Sequence, residues 1–266
     1  MTASATTAAM VSAGWTPAAL EILERSREYY GGPGGRRRPR RIRLVPERLT
    51  GLLPHLKGVD RTFPIPKVID IYPHERRTTF VAYPREGYTG VFDNGSVRIE
   101  AGSNGETIEN SPRHRDTFSG LAKNRRWTPV DALYFFGYAL WHYHALPFEL
   151  TEARLVRTVV AASGSSVSSV EVEFPADLPT HSRRQTFYFD RTGQLVRHDY
   201  VADIVGFWAR GAHFWRSPRL VNGFPIAMER RVVPRIGAAV LPVTALYATF
   251  SHAEVEFDPG VSADTP

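Results

Sequence analysis

The side chains best able to do chemistry gather between positions 185 and 215, where Tyr188, His198, Tyr200 and His213 fall on segments that read as β-strands. An imidazole titrates near neutrality, so a histidine flanked by phenols can take up or release a proton under physiological conditions. If Arg191, Thr192 and Gly193 turn a hairpin with a three-residue loop, Phe189 faces Leu195 and Tyr188 faces Val196. His198 then shares a sheet face with Thr186, Tyr188, Val196, Tyr200, Ala202 and Ile204, because side chains alternate along a strand. The other face carries Phe187, Phe189, Leu195, Arg197, Asp199, Val201 and Asp203. Both faces mix polar and apolar groups, which leaves the inner one open. His198, Tyr200 and Tyr188 are thus candidate catalytic residues, or else a satisfied core histidine and two half-buried tyrosines. His213, near Trp208, Arg210 and Trp215, is a second catalytic candidate on the same terms.

Aromatic side chains supply the binding candidates. Tyr138 and Trp141, with Trp208 and Trp215, can wall a pocket for a flat or apolar ligand, since rings bring large contact area and phenol or indole groups add polar handles. The same rings equally build an ordinary core. Arg183, close to His181 in a proline-led turn, can hold an acidic group of a ligand. His142 and His144 are two apart, which sends them to different faces of a helix and argues against a shared metal. No metal site is expected. No glycine-rich phosphate loop accompanies the aromatic residues, so no nucleotide cofactor is implied. The GSS tripeptide at 164–166, in a serine-rich loop, lacks the small-x-Ser-x-small frame of a hydrolase nucleophile.

Composition narrows the classes further. With no cysteine among 266 residues, disulfides, thiolate nucleophiles and cysteine-ligated metals are excluded. Hydrophobic residues at 42% and charged residues at 23% suit a chain that buries a core, and no linker divides it, so one domain over 1–266 is expected. Disorder is expected at 1–13 and 260–266, and a Gly/Arg-rich loop at 31–43. The start of the chain shows no positive region ahead of small apolar residues, which leads to the expectation of a cytoplasmic protein. The longest uncharged apolar run, 132–141, is too short to cross a bilayer. The formal charge of +6 and the run GRRRPRRIR raise the alternative of a nucleic-acid arm, but no groove-reading motif follows and a solvated loop is the simpler reading.

The elements that must position these groups are mostly strands. Thr16 and Pro17 can open one helix, whose Ala19, Leu23, Ser26 and Tyr30 share a face; Gly31 and Gly32 stop it. Thr128, Pro129 and Asp131 open a second, which is apolar on every side over 132–141 and must be buried all round. The prolines from Pro46 to Pro73 suggest irregular chain or short edge strands. Asn94-Gly95 and Asn222-Gly223 mark tight hairpins that pair Phe92 with Val97 and Val221 with Phe224. Further strands are expected at 169–174, 185–189, 195–205, 226–233 and 246–257. The fold class is mainly β: a single antiparallel curved sheet, an open or half barrel, wrapped around the buried helix.

This order of helix, long meander, buried helix and further hairpins resembles the LolA-like fold. The stretch FPADLPTHSRRQTFYFDRTGQLVRHDYVADIVGFWARGAHFW is similar to a group of uncharacterised bacterial cytoplasmic proteins of that layout. The resemblance implies a cavity, and with it precedents of two kinds: carriers of lipid-like ligands and a cofactor-free enzyme of violacein biosynthesis. The first expectation is a cofactor-independent cyclase, isomerase or dehydratase acting on an apolar or aromatic metabolite. The alternatives are a non-catalytic carrier of a hydrophobic ligand and a basic interaction module.

Overall fold

A computed structural model describes residues 3–59, 64–102, 104–161 and 166–258. In chain order the strands are β1 (Pro39–Thr50), β2 (Val68–Tyr72), β3 (Arg77–Val81), β4 (Tyr88–Asp93), β5 (Ser96–Ala101), β6 (Glu106–Ser111), β7 (Arg154–Val159), β8 (Val167–Glu173), β9 (Arg184–Asp190), β10 (Leu195–Val201), β11 (Arg210–Val221), β12 (Phe224–Ile236), β13 (Ala239–Val240) and β14 (Leu246–Phe257). They form one 14-stranded sheet in the order β6-β5-β4-β3-β2-β1-β14-β12-β11-β10-β9-β8-β7, with β13 attached to β12. The chain therefore builds one wing outwards from β1 to β6, restarts at the far edge with β7, and returns inwards. The long strand β14 joins the wings, pairing Ala253 with Leu44 of β1 and Thr249 with Glu229 of β12.

Local chemistry explains the hairpins. Asn94 (φ 42°) with Gly95 (φ 95°) and Asn222 (φ 50°) with Gly223 (φ 76°) adopt the left-handed pairs that two-residue hairpin loops require. Phe92 pairs with Val97 and Val221 with Phe224, as the sequence predicts. The proline-punctuated region differs from expectation: β2 lies between β1 and β3 and is no edge. The basic run also runs into β1 from Pro39, so only its first half is loop.

Among the described residues four α-helices accompany the sheet: α1 (Ala3–Ser12), α2 (Pro17–Gly31), α3 (Leu52–Lys57) and α4 (Pro129–Ala145). The helix at α1, with Met10 buried, stands where disorder is expected at 1–13; positions 260–266 lie outside the described residues, as do positions 162–165 at the start of the serine-rich loop. In α2 the Thr16 hydroxyl accepts from the Ala19 amide, and Ala19, Ile22, Leu23, Ser26 and Tyr30 are buried.

The helix α4 positions the rest. Thr128 and Asp131 form a reciprocal capping box, worth about 1 kcal/mol or more. From Val130 to Ala145 every residue is buried except the half-buried Phe136. Its first half packs on β3, β4 and β5. Gly137 makes this possible: a Cβ there would stand 2.3 Å from Phe92 Cβ, and the Thr78 hydroxyl donates to its carbonyl at 3.1 Å. The second half reaches the other wing, where the His142 ring meets Phe187 of β9 at 6.2 Å and His198 of β10 at 5.9 Å. One helix thus fills the hollow of an open, curved sheet. Among the described residues no helix is long and apolar enough to cross a membrane.

Candidate functional site: an apolar cavity with a buried polar cluster

A cavity of about 200 Å³ opens between α3, α4 and the sheet. Leu52, Leu53 and Leu56 of α3 line it from one side, and Leu133, Phe136 and Leu140 of α4 from another. Leu52, Leu56 and Ile65 are exposed at its mouth, together with Trp208 at 56% exposure. Four polar side chains of the cavity wall cluster together: Tyr143, Tyr200, His213 and Arg230. The Tyr143 ring lies 4.6 Å from that of His213, its hydroxyl 3.4 Å from that of Tyr200, and the Arg230 guanidinium 5.2 Å from its ring centre.

Arg230 is 3% exposed and projects from β12 beside Trp215, whose ring face it covers at 4.4 Å. Its Nη2 donates to His144 Nε2 at 3.1 Å, while His144 Nδ1 donates to the Leu140 carbonyl at 2.8 Å, which fixes that imidazole as neutral. Burial, then the Arg230 charge, drops His144 to about 3. Burial also lowers Arg230, to about 10, which leaves it cationic at neutral pH. Among the described residues no carboxylate pairs with it, and its Nε and Nη1 find no acceptor.

Behind the cavity wall, His181 bridges two phenols of α4: Nδ1 lies 2.9 Å from Tyr138 Oη and Nε2 2.6 Å from Tyr143 Oη. Its ring stacks on Tyr200 at 3.9 Å and 7°. Desolvation holds it well below the usual imidazole range, and burial raises Tyr143 and Tyr138 well above the phenol range and Tyr200 to about 12. A neutral imidazole donates through one nitrogen and accepts through the other, so both phenols can be satisfied at once.

The expected cluster around His198 is built differently. Between Leu195 and Arg197 the β9–β10 ladder shifts register, so His198 pairs with Phe187 and Arg197 with Tyr188. A one-residue shift exchanges faces. His198 and Tyr200 therefore point inwards with Phe187, while Tyr188 lies on the opposite face, donating to Asp199 at 3.2 Å under the Arg197 guanidinium. His198 is fully buried, stacks on Phe187 at 4.4 Å and bonds through Nε2 to the Gln185 amide oxygen. It does not line the cavity; His213 and Tyr200 do.

The binding candidates also separate. Tyr138 is buried against His181, and Trp141 is sealed in the core, donating to the Pro73 carbonyl at 2.9 Å. Trp215 backs Arg230 without lining the cavity, and Trp208 stands at the mouth. Arg183 is exposed just ahead of β9, paired with Glu173 at 2.8 Å. The basic run is largely engaged by the protein itself: Arg37 and Arg38 cover Phe257 and Phe148, and Arg43 chelates Asp70 at 2.8 and 2.9 Å. Among the described residues no group of acidic or histidine side chains is arranged to hold a metal.

Sequence reasoning passed over Tyr143, Gln185 and Arg230. Arg230 did carry a signal: Ile226, Met228, Arg230 and Val232 alternate on one face of β12, so a lone arginine sits in an apolar row. His181 carried none, since its loop position follows from tertiary packing alone.

No protein-family model and no curated protein sequence matches the chain. Among solved structures it is similar to a DUF1329 family protein from Desulfovibrio piger at 10% identity and TM-score 0.43, over 91% of this chain and 92% of that one. It is also similar to the LolA superfamily protein NE2245 from Nitrosomonas europaea, at 9% identity and TM-score 0.46, over 90% of this chain and 93% of that one. The strand order of the chain itself gives the architecture expected from the sequence: a single open antiparallel sheet curved around a helix.

Proposed function

We propose that the protein binds an apolar small molecule in the cavity between α3, α4 and the sheet, as a carrier or sequestering protein. The observation that carries this reading is the cavity itself, about 200 Å³ and walled mainly by leucine, alanine, phenylalanine and proline side chains, with leucines also at its mouth. A dry apolar cavity of about 150 Å³ already accepts a ring the size of benzene, so this one has room for a larger body. Native mass spectrometry of the purified protein tests for a retained ligand, and titration with the uncharged fluorophore N-phenyl-1-naphthylamine tests the cavity directly. Saturable fluorescence enhancement that Leu53→Arg weakens at the mouth is the expected result. No saturable binding by the wild-type protein would sink the reading.

A second reading, cofactor-independent catalysis of the cyclase, isomerase or dehydratase kind, draws support from the phenols of Tyr143 and Tyr200, which line the cavity and join His181 behind it. In that case Tyr143 or His213 would exchange a proton with the ligand and His198 would not, since it is walled off. A product of unchanged mass, or lighter by one water, formed from a retained ligand by wild type and not by Tyr143→Phe, would favour this reading over simple carriage.

A further inference from the structure

We propose that the ligand is an amphipathic anion, an apolar body ending in a carboxylate, and that its charged end is bound by Arg230. This rests on the ligand-binding reading above and specifies the chemical class of its ligand. Three arginines line the cavity, Arg48, Arg210 and Arg230, and no aspartate or glutamate does. Arg48 and Arg210 are exposed. Arg230 is buried, and a buried charge without a counterion is the least favourable arrangement a core can hold.

The surroundings of Arg230 orient it without neutralising it. Trp215 and Tyr143 pack against the guanidinium at 4.4 and 5.2 Å, and neutral His144 uses Nη2, which leaves the N–H groups of Nε and Nη1 without acceptors. The other titratable groups facing it, His213, Tyr143 and Tyr30, are neutral at physiological pH, because burial depresses the imidazole and raises the phenols. Both ring nitrogens of His213 are also without partners, one of them an N–H available beside the guanidinium. A carboxylate here would meet charge-assisted donors, and its apolar body would run along the leucines towards the mouth. The buried part of the cavity thus has the polarity of an amphiphile, with donors and positive charge gathered in one cluster and apolar wall elsewhere, while Arg48 and Arg210 stand at exposed positions.

The experiment is competition against bound N-phenyl-1-naphthylamine by decanoate and by decan-1-ol, which share a chain and differ in charge. The expected result is that decanoate displaces the fluorophore at about tenfold lower concentration than the alcohol, as a charge-assisted hydrogen bond predicts. Arg230→Met should erase that preference, read as the ratio of the two displacement midpoints within the variant. Equal displacement by both compounds in the wild-type protein, a result that needs no variant, would overturn the anion proposal while leaving apolar binding intact. So would a preference that survives in Arg230→Met. Failure of the fluorophore to bind wild type would instead remove the ligand-binding reading on which the proposal stands.

Discussion

Tyr143 Oη sits 2.6 Å from His181 Nε2, and the opposite nitrogen of the same ring lies 2.9 Å from Tyr138 Oη. One loop imidazole therefore joins two phenols five residues apart on α4, tying the helix to the β8–β9 connection. Removing either hydroxyl strands a buried ring nitrogen at a cost of about 1–3 kcal/mol. Tyr138→Phe and Tyr143→Phe should each lower stability by that amount in urea unfolding, and the double variant by less than their sum, since both act through His181. Strict additivity would show that the two contacts are independent.

Acid should destabilise the fold well before its carboxylates titrate. Burial holds His142 and His144 at about 3 and pushes His181, His198 and His213 well below the usual range. The unfolded chain then binds protons that the folded one refuses, so the stability these histidines contribute is fully present above about pH 6.5 and declines as pH falls below it. Urea midpoints at pH 7.5 and pH 5 measure the loss, expected to be several kcal/mol.

His198→Phe should cost about 1–3 kcal/mol at neutral pH, because the Gln185 oxygen loses its buried partner. It should also reduce the acid slope by roughly one proton. N-phenyl-1-naphthylamine affinity should match wild type, since His198 does not line the cavity. A large change in that affinity would return His198 to the binding site.

Glu149 titrates in the opposite sense. Burial, then neighbouring Glu152, raises it to about 8 against the pull of Arg76 and Arg38. An acid with a raised folded pKa destabilises the fold progressively as pH rises from its unfolded value to its folded one. Glu149→Gln should match wild type near pH 4.5 and exceed it at pH 8 by roughly 2–4 kcal/mol. Equal stability at both pH values would mean that Arg76 keeps the carboxylate ionised throughout.

The arginines of 36–43 should give only weak nucleic-acid binding that vanishes with salt. Arg41 and Arg43 are paired with Glu256 and Asp70, and Arg37 and Arg38 are held over the rings of Phe257 and Phe148, so few of these guanidinium groups are free to follow a phosphate backbone. Filter binding of a mixed duplex between low and physiological salt is the check, and tight binding at physiological salt would refute it.

The elements that local chemistry dictates were legible from the sequence alone. Asn-Gly pairs select tight hairpin turns, Thr-Pro-x-Asp opens α4, and a run apolar on all sides demands burial, so helix, hairpins and mainly β class follow from short-range rules. Three features of the site belong to the tertiary structure. The register shift at Leu195 to Arg197 has no residue that announces it, yet it reverses which face Tyr188 occupies. The β1–β14 pairing joins Leu44 to Ala253 across the chain, a contact no local signal encodes. His181 enters the interior from a loop, where no periodicity assigns a face, and meets Tyr138 and Tyr143 only because α4 lies in the hollow of the sheet. Side-chain types and turns are set by neighbours along the chain, whereas the cavity and its charge are set by which distant strands close around the helix.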